Sequence, residues 1–428
     1  MKRNRHLLFA GLLVLPVSAY ADFEGSVKGA VGFSDNIART ETGEVDDVIL
    51  SGGFAFTYAE RTRKLKADIT ADLDYYEYTE NTFQNEWLGS LNGNVEVSVI
   101  DQRLAWLFTD TFGQQQSDPF AAATPETREY ANLFSTGPFI RLLPAGRNSI
   151  DLTAKYTRSD YEERDSDNDA FSGELRIGRQ MSRNSSIALV PSHQRVEFNV
   201  SRIPSIEQSD VAIEYEVTGA NNELSIAIGG TQVEAGGFED DGLLLDLSWS
   251  YRITDSSSLA ISGGSRYSSQ GDSFRLYQEF LSGRDTTVDN TVSNAPFRNN
   301  YFDIVQSVSV GRNEIVARAT FSQEDFADDS GLDRDIFGGN LALRREFRRD
   351  WSVGASGGVD RRDFKYLGRR DDDLRFAFDL TWDVTARLKI SAEYDFLKRN
   401  STAESGDFEE SQAFLRFTFA SPEKGRVR

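Results

Sequence analysis

The chain predicts an all-β fold: a transmembrane antiparallel β-barrel of the bacterial outer membrane, with about 20 strands (18–22). Three observations carry this. Apolar residues recur at every second position in segments of about ten residues, the length a tilted strand needs to cross a bilayer. Short turns alternate with longer, acidic connections along the chain. The aromatic residues that belong at a membrane surface keep to the apolar register.

The N-terminus is set aside first. Lys2, Arg3 and Arg5 precede the short apolar run Leu7 to Val17, and Ala19-Tyr20-Ala21 supplies a small-x-small cleavage site. Residues 1–21 therefore read as a signal peptide, too short in its apolar core to span a membrane. Residues 22–419 are expected to form the barrel, and 420–428 a periplasmic C-terminal tail.

The hairpin from Val48 to Tyr75 shows the pattern most plainly. Val48, Leu50, Phe54, Phe56 and Tyr58 alternate, the polar turn Glu60–Lys64 follows, and Leu65, Ala67, Ile69, Ala71, Leu73 and Tyr75 resume the period. Between them stand Lys66, Asp68, Thr70, Asp72 and Asp74. A period of two places the apolar set on one face of a strand and the charged set on the other.

The same unit recurs to the end, through segments such as Trp87–Val99, Leu243–Ile253, Phe337–Phe347, Leu374–Val384 and Ala413–Phe419. Leu133–Leu142 and Ile187–Phe198 contain Pro138 and Pro191, which suit a rim or bulge better than a central strand. Nine short turns lie near Glu60–Lys64, Ile100–Arg103, Pro144–Asn148, Met181–Ser185, Thr218–Asn222, Thr254–Ser258, Gly311–Asn313, Arg348–Asp350 and Thr385–Arg387. Longer connections include Gln114–Glu129, Glu162–Asp169, Gly271–Asn300 and Lys398–Glu410. Nine short periplasmic turns imply an even count of 20 strands, with both termini on the periplasmic side.

Trp87, Trp106, Trp249, Trp351 and Trp382 all occupy the apolar register, and the last four lie near expected periplasmic turns. They are expected to form a lipid-interface girdle. In the final strand Phe417 and Phe419 close an alternating run, the form of a terminal signal that barrel-insertion machinery reads.

Composition bounds the function. The chain has no Cys, so disulfides and thiol chemistry are excluded. Without the leader's Lys2, Arg3 and Arg5, 44 basic residues face 68 acidic ones, a net charge of −24. Such acidity argues against nucleic acid as a partner. His193 is the one histidine beyond the leader, and neither a Gly-x-Ser-x-Gly motif nor a zinc-ligand spacing occurs. No enzyme is expected, no catalytic residue is assigned, and no cofactor or metal is called for.

Function is expected on the inward faces. Asp68, Asp72 and Asp74, Asp379 and Asp383, and Arg318 and Arg344 are the lumen-lining candidates. Acidic and basic walls can set up a field across a water-filled pore. They can equally form ion pairs that hold the wall together. The longest connection, Gly271 to Asn300, contains Phe274-Arg275-Leu276-Tyr277-Gln278-Glu279-Phe280-Leu281, a stretch expected to form a short helix or an extra hairpin, folded inward across the channel or outward over its mouth. The acidic loops Glu162–Asp169 and Arg370–Asp373 read as solvated, without EF-hand spacing.

The start Gly32-Phe33-Ser34-Asp35-Asn36-Ile37, the next strand Gly52-Gly53-Phe54-Ala55-Phe56-Thr57-Tyr58, and some 400 residues of hairpins resemble the β-barrel porin-2-like outer-membrane barrels of exopolysaccharide and PEP-CTERM/exosortase loci. That resemblance implies a barrel serving exopolysaccharide export, or an ordinary channel, and it brings no catalytic residues. The expected partners are outer-membrane lipid and lipopolysaccharide, the insertion machinery, and exopolysaccharide or export-complex proteins. The reading is a water-filled channel for hydrophilic solutes or polysaccharide. The alternative is a plugged structural barrel that binds surface polysaccharide or partners through its acidic loops, and an outer-membrane enzyme is the third reading.

Overall fold

The computed structural model describes residues 22–421 apart from 163–164, 273, 276–292 and 329–330. The expected signal peptide and the tail beyond residue 421 lie outside the described residues. Twenty strands follow one another round a single antiparallel sheet: β1 (Asp22–Ser34), β2 (Asp47–Arg61), β3 (Leu65–Tyr78), β4 (Glu86–Ile100), β5 (Leu104–Gln116), β6 (Arg128–Arg141) and β7 (Asn148–Tyr161) come first. Then come β8 (Asn168–Gln180), β9 (Ser185–Phe198), β10 (Ile206–Thr218), β11 (Asn222–Ala235), β12 (Phe238–Thr254), β13 (Ser257–Ser268) and β14 (Phe297–Val310). The last are β15 (Asn313–Phe326), β16 (Arg334–Arg348), β17 (Trp351–Phe364), β18 (Arg369–Asp383), β19 (Leu388–Ser401) and β20 (Phe408–Ala420).

β1 pairs with both β2 and β20, from Ser26↔Ala420 to Ser34↔Gln412, so the sheet closes on itself and leaves no edge. Ser421 extends the seam, its N–H donating to the Gly25 carbonyl at 2.6 Å. Gly32 makes the seam possible at one point: a Cβ there would sit 2.2 Å from the inward Phe414 ring.

The period-two pattern dictates which face meets lipid. Register carries Val27 to Phe54 and Phe54 to Leu73, one continuous outward row. Val27 is 63% exposed and Phe54 46%, large apolar exposures that a chain in water alone would bury. The exposed apolar residues recur on strands all round the ring, from Phe23 to Phe419. Such a belt embeds the barrel in a bilayer, where a closed sheet satisfies its own backbone hydrogen bonds.

The turn pattern departs from strict alternation. The connection between β11 and β12 on the long-loop side is only Gly236-Gly237, both at positive φ (58° and 95°). Two residues of that handedness match the twist of a hairpin, so glycine allows a tight turn at that rim too. The segment expected as the loop Gln114–Glu129 is shortened to residues 117–127, because β5 and β6 extend past the bilayer-spanning length. Pro138 and Pro191 lie within β6 and β9 rather than at a rim. Beside each, pairing to the neighbouring strand lapses and then resumes in the same register, since proline has no N–H to donate.

Candidate functional site

The lumen is the candidate site, and three loops build it. Loop L1 (residues 35–46) joins β1 to β2, L3 (117–127) joins β5 to β6, and L7 (269–296) joins β13 to β14. All three lie on the side opposite the termini.

L1 begins with Asp35-Asn36-Ile37. Asn36 is fully buried; its Nδ2 donates to the carbonyls of Thr40 at 2.8 Å and Glu409 at 2.9 Å. Asp35 accepts from the Ser411 N–H at 2.7 Å, which ties L1 to β20 across the seam. Ile37 then packs inside the barrel on Ile49, Tyr76, Tyr78 and Leu88. The short motif is thus a local device that turns the chain inward.

L3 crosses the lumen. Its backbone carbonyls are held by three arginines from the far wall and L1. Arg369 donates to Phe120 O at 2.7 Å, Arg399 to Ala121 O at 3.4 Å, and Arg39 to Ala123 O. Phe120 packs on Phe364 at 5.2 Å between centroids, beneath the Arg369 guanidinium. Six strands of wall separate β5 from β18 by the shorter way round, so the loop spans the barrel's interior.

These arginines are themselves paired. Arg399 and Arg362 share Asp373, at 2.7 and 2.9 Å; Arg369 bonds Asp371 at 2.8 Å and Arg39 bonds Glu410 at 2.7 Å. Arg334 meets Glu324 at 2.8 Å, both buried. A buried pair of this kind tolerates no missing partner, and loss of one costs about 3–5 kcal/mol. The sector from β15 to β20 is a neutralised ionic wall.

L7 enters from β13 with a reciprocal capping arrangement. The Ser269 N–H donates to Asp272 Oδ2 at 3.1 Å, and the Asp272 N–H to Ser269 Oγ at 3.3 Å. That pairing starts a helical turn. Phe274 is wholly buried against Ala131, Leu133 and Tyr161 on β6 and β7, seven strands round the wall. Of the stretch Phe274–Leu281, Phe274 and Arg275 continue this helical turn and Phe274 points inward; residues 276–292 lie outside the described ones. Between L7 and the inner faces of β4–β10 a cavity of about 310 Å³ remains.

Asp72 and Asp74 both accept from Lys28 Nζ, at 2.5 and 2.6 Å, while Asp68 pairs with Arg61 at 2.5 Å. Arg318 pairs with Asp303 at 2.6 Å, and Arg344 donates to Ser352 Oγ at 3.0 Å. Asp379 stands opposite Glu393, and Asp383 lies 4.0 Å from Lys389. All seven occupy the inward register, but most are spent on partners in their own wall. The ion-pair alternative describes these residues better than opposed acidic and basic walls. The sequence reading missed Lys28, Arg39, Arg369 and Arg399, because the groups they tie together, Asp72 and Asp74 for Lys28 and the L3 carbonyls for the arginines, lie far off along the chain. Lys28 had one visible signal, a lone cation among small inward residues.

All five tryptophans are in the outward register. Trp106 Nε1 donates to Thr136 Oγ1 at 2.7 Å, Trp249 stacks on Tyr251 at 5.8 Å, and Trp351 stacks on Trp382 at 5.4 Å. Trp87 packs on Tyr75 at 5.1 Å near the loop-side end of β4. Phe417 and Phe419 face outward, 44% and 54% exposed. His193 shares a hydrogen bond with Ser209 through Nδ1 at 2.9 Å on the outer face. Among the described residues its other nitrogen has no hydrogen-bond partner.

No protein-family model matches the chain. No curated protein matches it either. Solved outer-membrane barrels do share the overall arrangement. OccK1 of Pseudomonas aeruginosa is 9% identical, with 94% of this chain and 99% of that one covered, at a TM-score of 0.43. The ferric enterobactin receptor PfeA of Pseudomonas aeruginosa is 8% identical, covering 94% and 80%, at 0.48. The FrpB iron transporter of Neisseria meningitidis is 8% identical, covering 92% and 81%, at 0.47. Likeness this distant says nothing of cargo. The fold itself is a closed, 20-stranded antiparallel barrel.

Proposed function

We propose that the barrel is a water-filled channel for hydrophilic solutes, narrowed by L3 and L7. The observation that carries this is the pair of crossing loops. Each leaves one wall and is pinned to a distant one, yet a polar cavity stays between L7 and β4–β10. A purely structural barrel has no need of loops that subdivide its interior. Charge and hydroxyl groups on the inner face keep such a space wetted. The lumen candidates Asp68, Asp72, Asp74, Asp379, Asp383, Arg318 and Arg344 then line or brace the wall of the passage.

Passage of exopolysaccharide is the narrower form of this reading. It rests on the resemblance drawn from the sequence, and the hydroxyl- and amide-rich cavity supports it. In the same reading the tryptophans anchor the barrel at the lipid interface, and Phe417 and Phe419 belong to the strand that the insertion machinery recognises.

The plugged barrel is favoured by one observation: Ile37, Ile49, Tyr76, Tyr78 and Leu88 fill the mouth beside β1–β4 with apolar side chains. Planar-bilayer recordings separate the two. The channel reading expects stepwise conductance, increased when residues 272–298 are replaced by a short Gly-Ser link. A folded barrel that stays silent in both forms sinks it and leaves the plugged barrel.

A further inference from the structure

Most of the lumen's cations meet an acid, and Arg344 meets the Ser352 hydroxyl, but two on the wall of the L7 cavity meet neither among the described residues. Lys155 projects inward from β7, and Arg275 stands at the start of L7. Neither has a hydrogen-bond or ion-pair partner among the described residues. Each lies close enough to the other for their charges to repel, and Glu174 on β8 attracts Lys155 only from beyond ion-pair distance. Asp272, the one carboxylate on the cavity wall among the described residues, is occupied in capping the L7 turn through Ser269. In a chain with a net charge of −21, two unmatched cations on one cavity are a local inversion of sign.

The rest of the lining is neutral, with hydroxyls and amides in the majority beside the apolar Leu133, Val196, Phe198 and Ile206. Ser135 and Thr157 bond each other at 2.8 Å, while Thr109, Ser172 and Gln194 have no side-chain partner among the described residues. Hydroxyls and amides of this kind can both donate and accept, as the hydroxyls of a sugar require. A cavity of about 310 Å³ is at the lower end of the range for small-ligand pockets.

We infer that this cavity is a binding subsite for a hydroxyl-rich anion, an acidic sugar unit whose carboxylate meets Lys155 and Arg275. Its hydroxyls meet the Ser, Thr and Gln side chains of β5–β9. The inference deepens the channel reading by naming a solute class, and it depends on that reading only for the route of entry. Binding is measured apart from conductance, so the two fail separately.

The test is calorimetric titration of the full barrel in detergent with galacturonate, glucose and acetate. Galacturonate is expected to bind more tightly than either, since glucose lacks the charge and acetate the hydroxyls. Lys155→Gln and Arg275→Gln are each expected to weaken galacturonate about tenfold, the worth of one charge-assisted hydrogen bond. Glucose binding should not change in either variant. Heat-modifiable migration on a gel verifies that each variant is folded. No galacturonate binding, equal affinity for glucose, or full affinity in a folded double variant would each overturn the inference.

Discussion

The two sides of the lumen solve the problem of lining a barrel in different ways. From β15 round to β20, buried arginines and carboxylates interlock, and Asp373 alone serves Arg362 and Arg399. From β4 to β10 the inner face carries Ser, Thr, Asn and Gln beside the L7 cavity, with few ion pairs near it. The ionic side grips a loop, since L3 hangs from Arg39, Arg369 and Arg399. The neutral side receives a loop through one aromatic, Phe274, and keeps open space around it. A matched ionic wall is rigid and costly to disturb; a hydroxyl wall can exchange its water for a solute. That contrast puts support on one side and binding on the other.

Removing the hub of the ionic side is expected to have the largest effect. Asp373→Ala leaves two buried guanidinium groups without their shared carboxylate, and the loss should be about 3–5 kcal/mol in denaturant unfolding from lipid vesicles. The matching change on the neutral side, Ser135→Ala, removes one ordinary hydrogen bond and should cost about 1 kcal/mol. Equal losses would erase the distinction between the sides.

Phe274→Ala tests how L7 is held. Truncating a wholly buried Phe forfeits about 3 kcal/mol of local packing, enough to release the loop. L7 should become cleavable by added protease in the intact barrel, and conductance should rise, while global unfolding changes less. An uncleaved loop would mean that L7 is anchored elsewhere as well.

At the lipid surface, Trp351→Ala breaks the stack on Trp382, a contact worth about 0.5–1.5 kcal/mol beyond burial. Its unfolding midpoint should shift modestly, with no change in the lumen. The smallest effect is expected at the turn pair Arg63–Asp101. Donation from Arg63 holds the Asp101 carboxyl below the usual carboxylate range. A depressed folded value supports the fold above the ordinary carboxylate pKa, and that support disappears as pH falls through the folded value. Both groups are fully exposed, so Arg63→Ala should raise the Asp101 midpoint by NMR titration without a visible change in unfolding.

Much of the architecture was legible because barrel strands advertise themselves locally. Val48 to Tyr75 alternates so regularly that its two faces can be assigned without a partner strand, and each short turn marks the next reversal. Counting those turns gave 20 strands, the number in the closed sheet. Loops were less legible. Gly236-Gly237 replaces an expected long connection because two glycines at positive φ suffice there. Pro138 and Pro191 sit within strands because only one side of each loses its pairing.

The sequence by itself determined the barrel, the lipid-facing row and the inward placement of Asp68, Asp72, Asp74, Asp379, Asp383, Arg318 and Arg344, since a period of two is a property of neighbouring residues. Tertiary structure alone decided what those inward groups meet. Lys28 reaches Asp74 from 46 positions away, and Arg369 reaches Phe120 across 249. Contacts of that span depend on ring closure and on where L3 and L7 land, and no local pattern records them. The same reason hid Lys155 and Arg275: that neither has a partner among the described residues depends on everything else that the closed barrel brings near them.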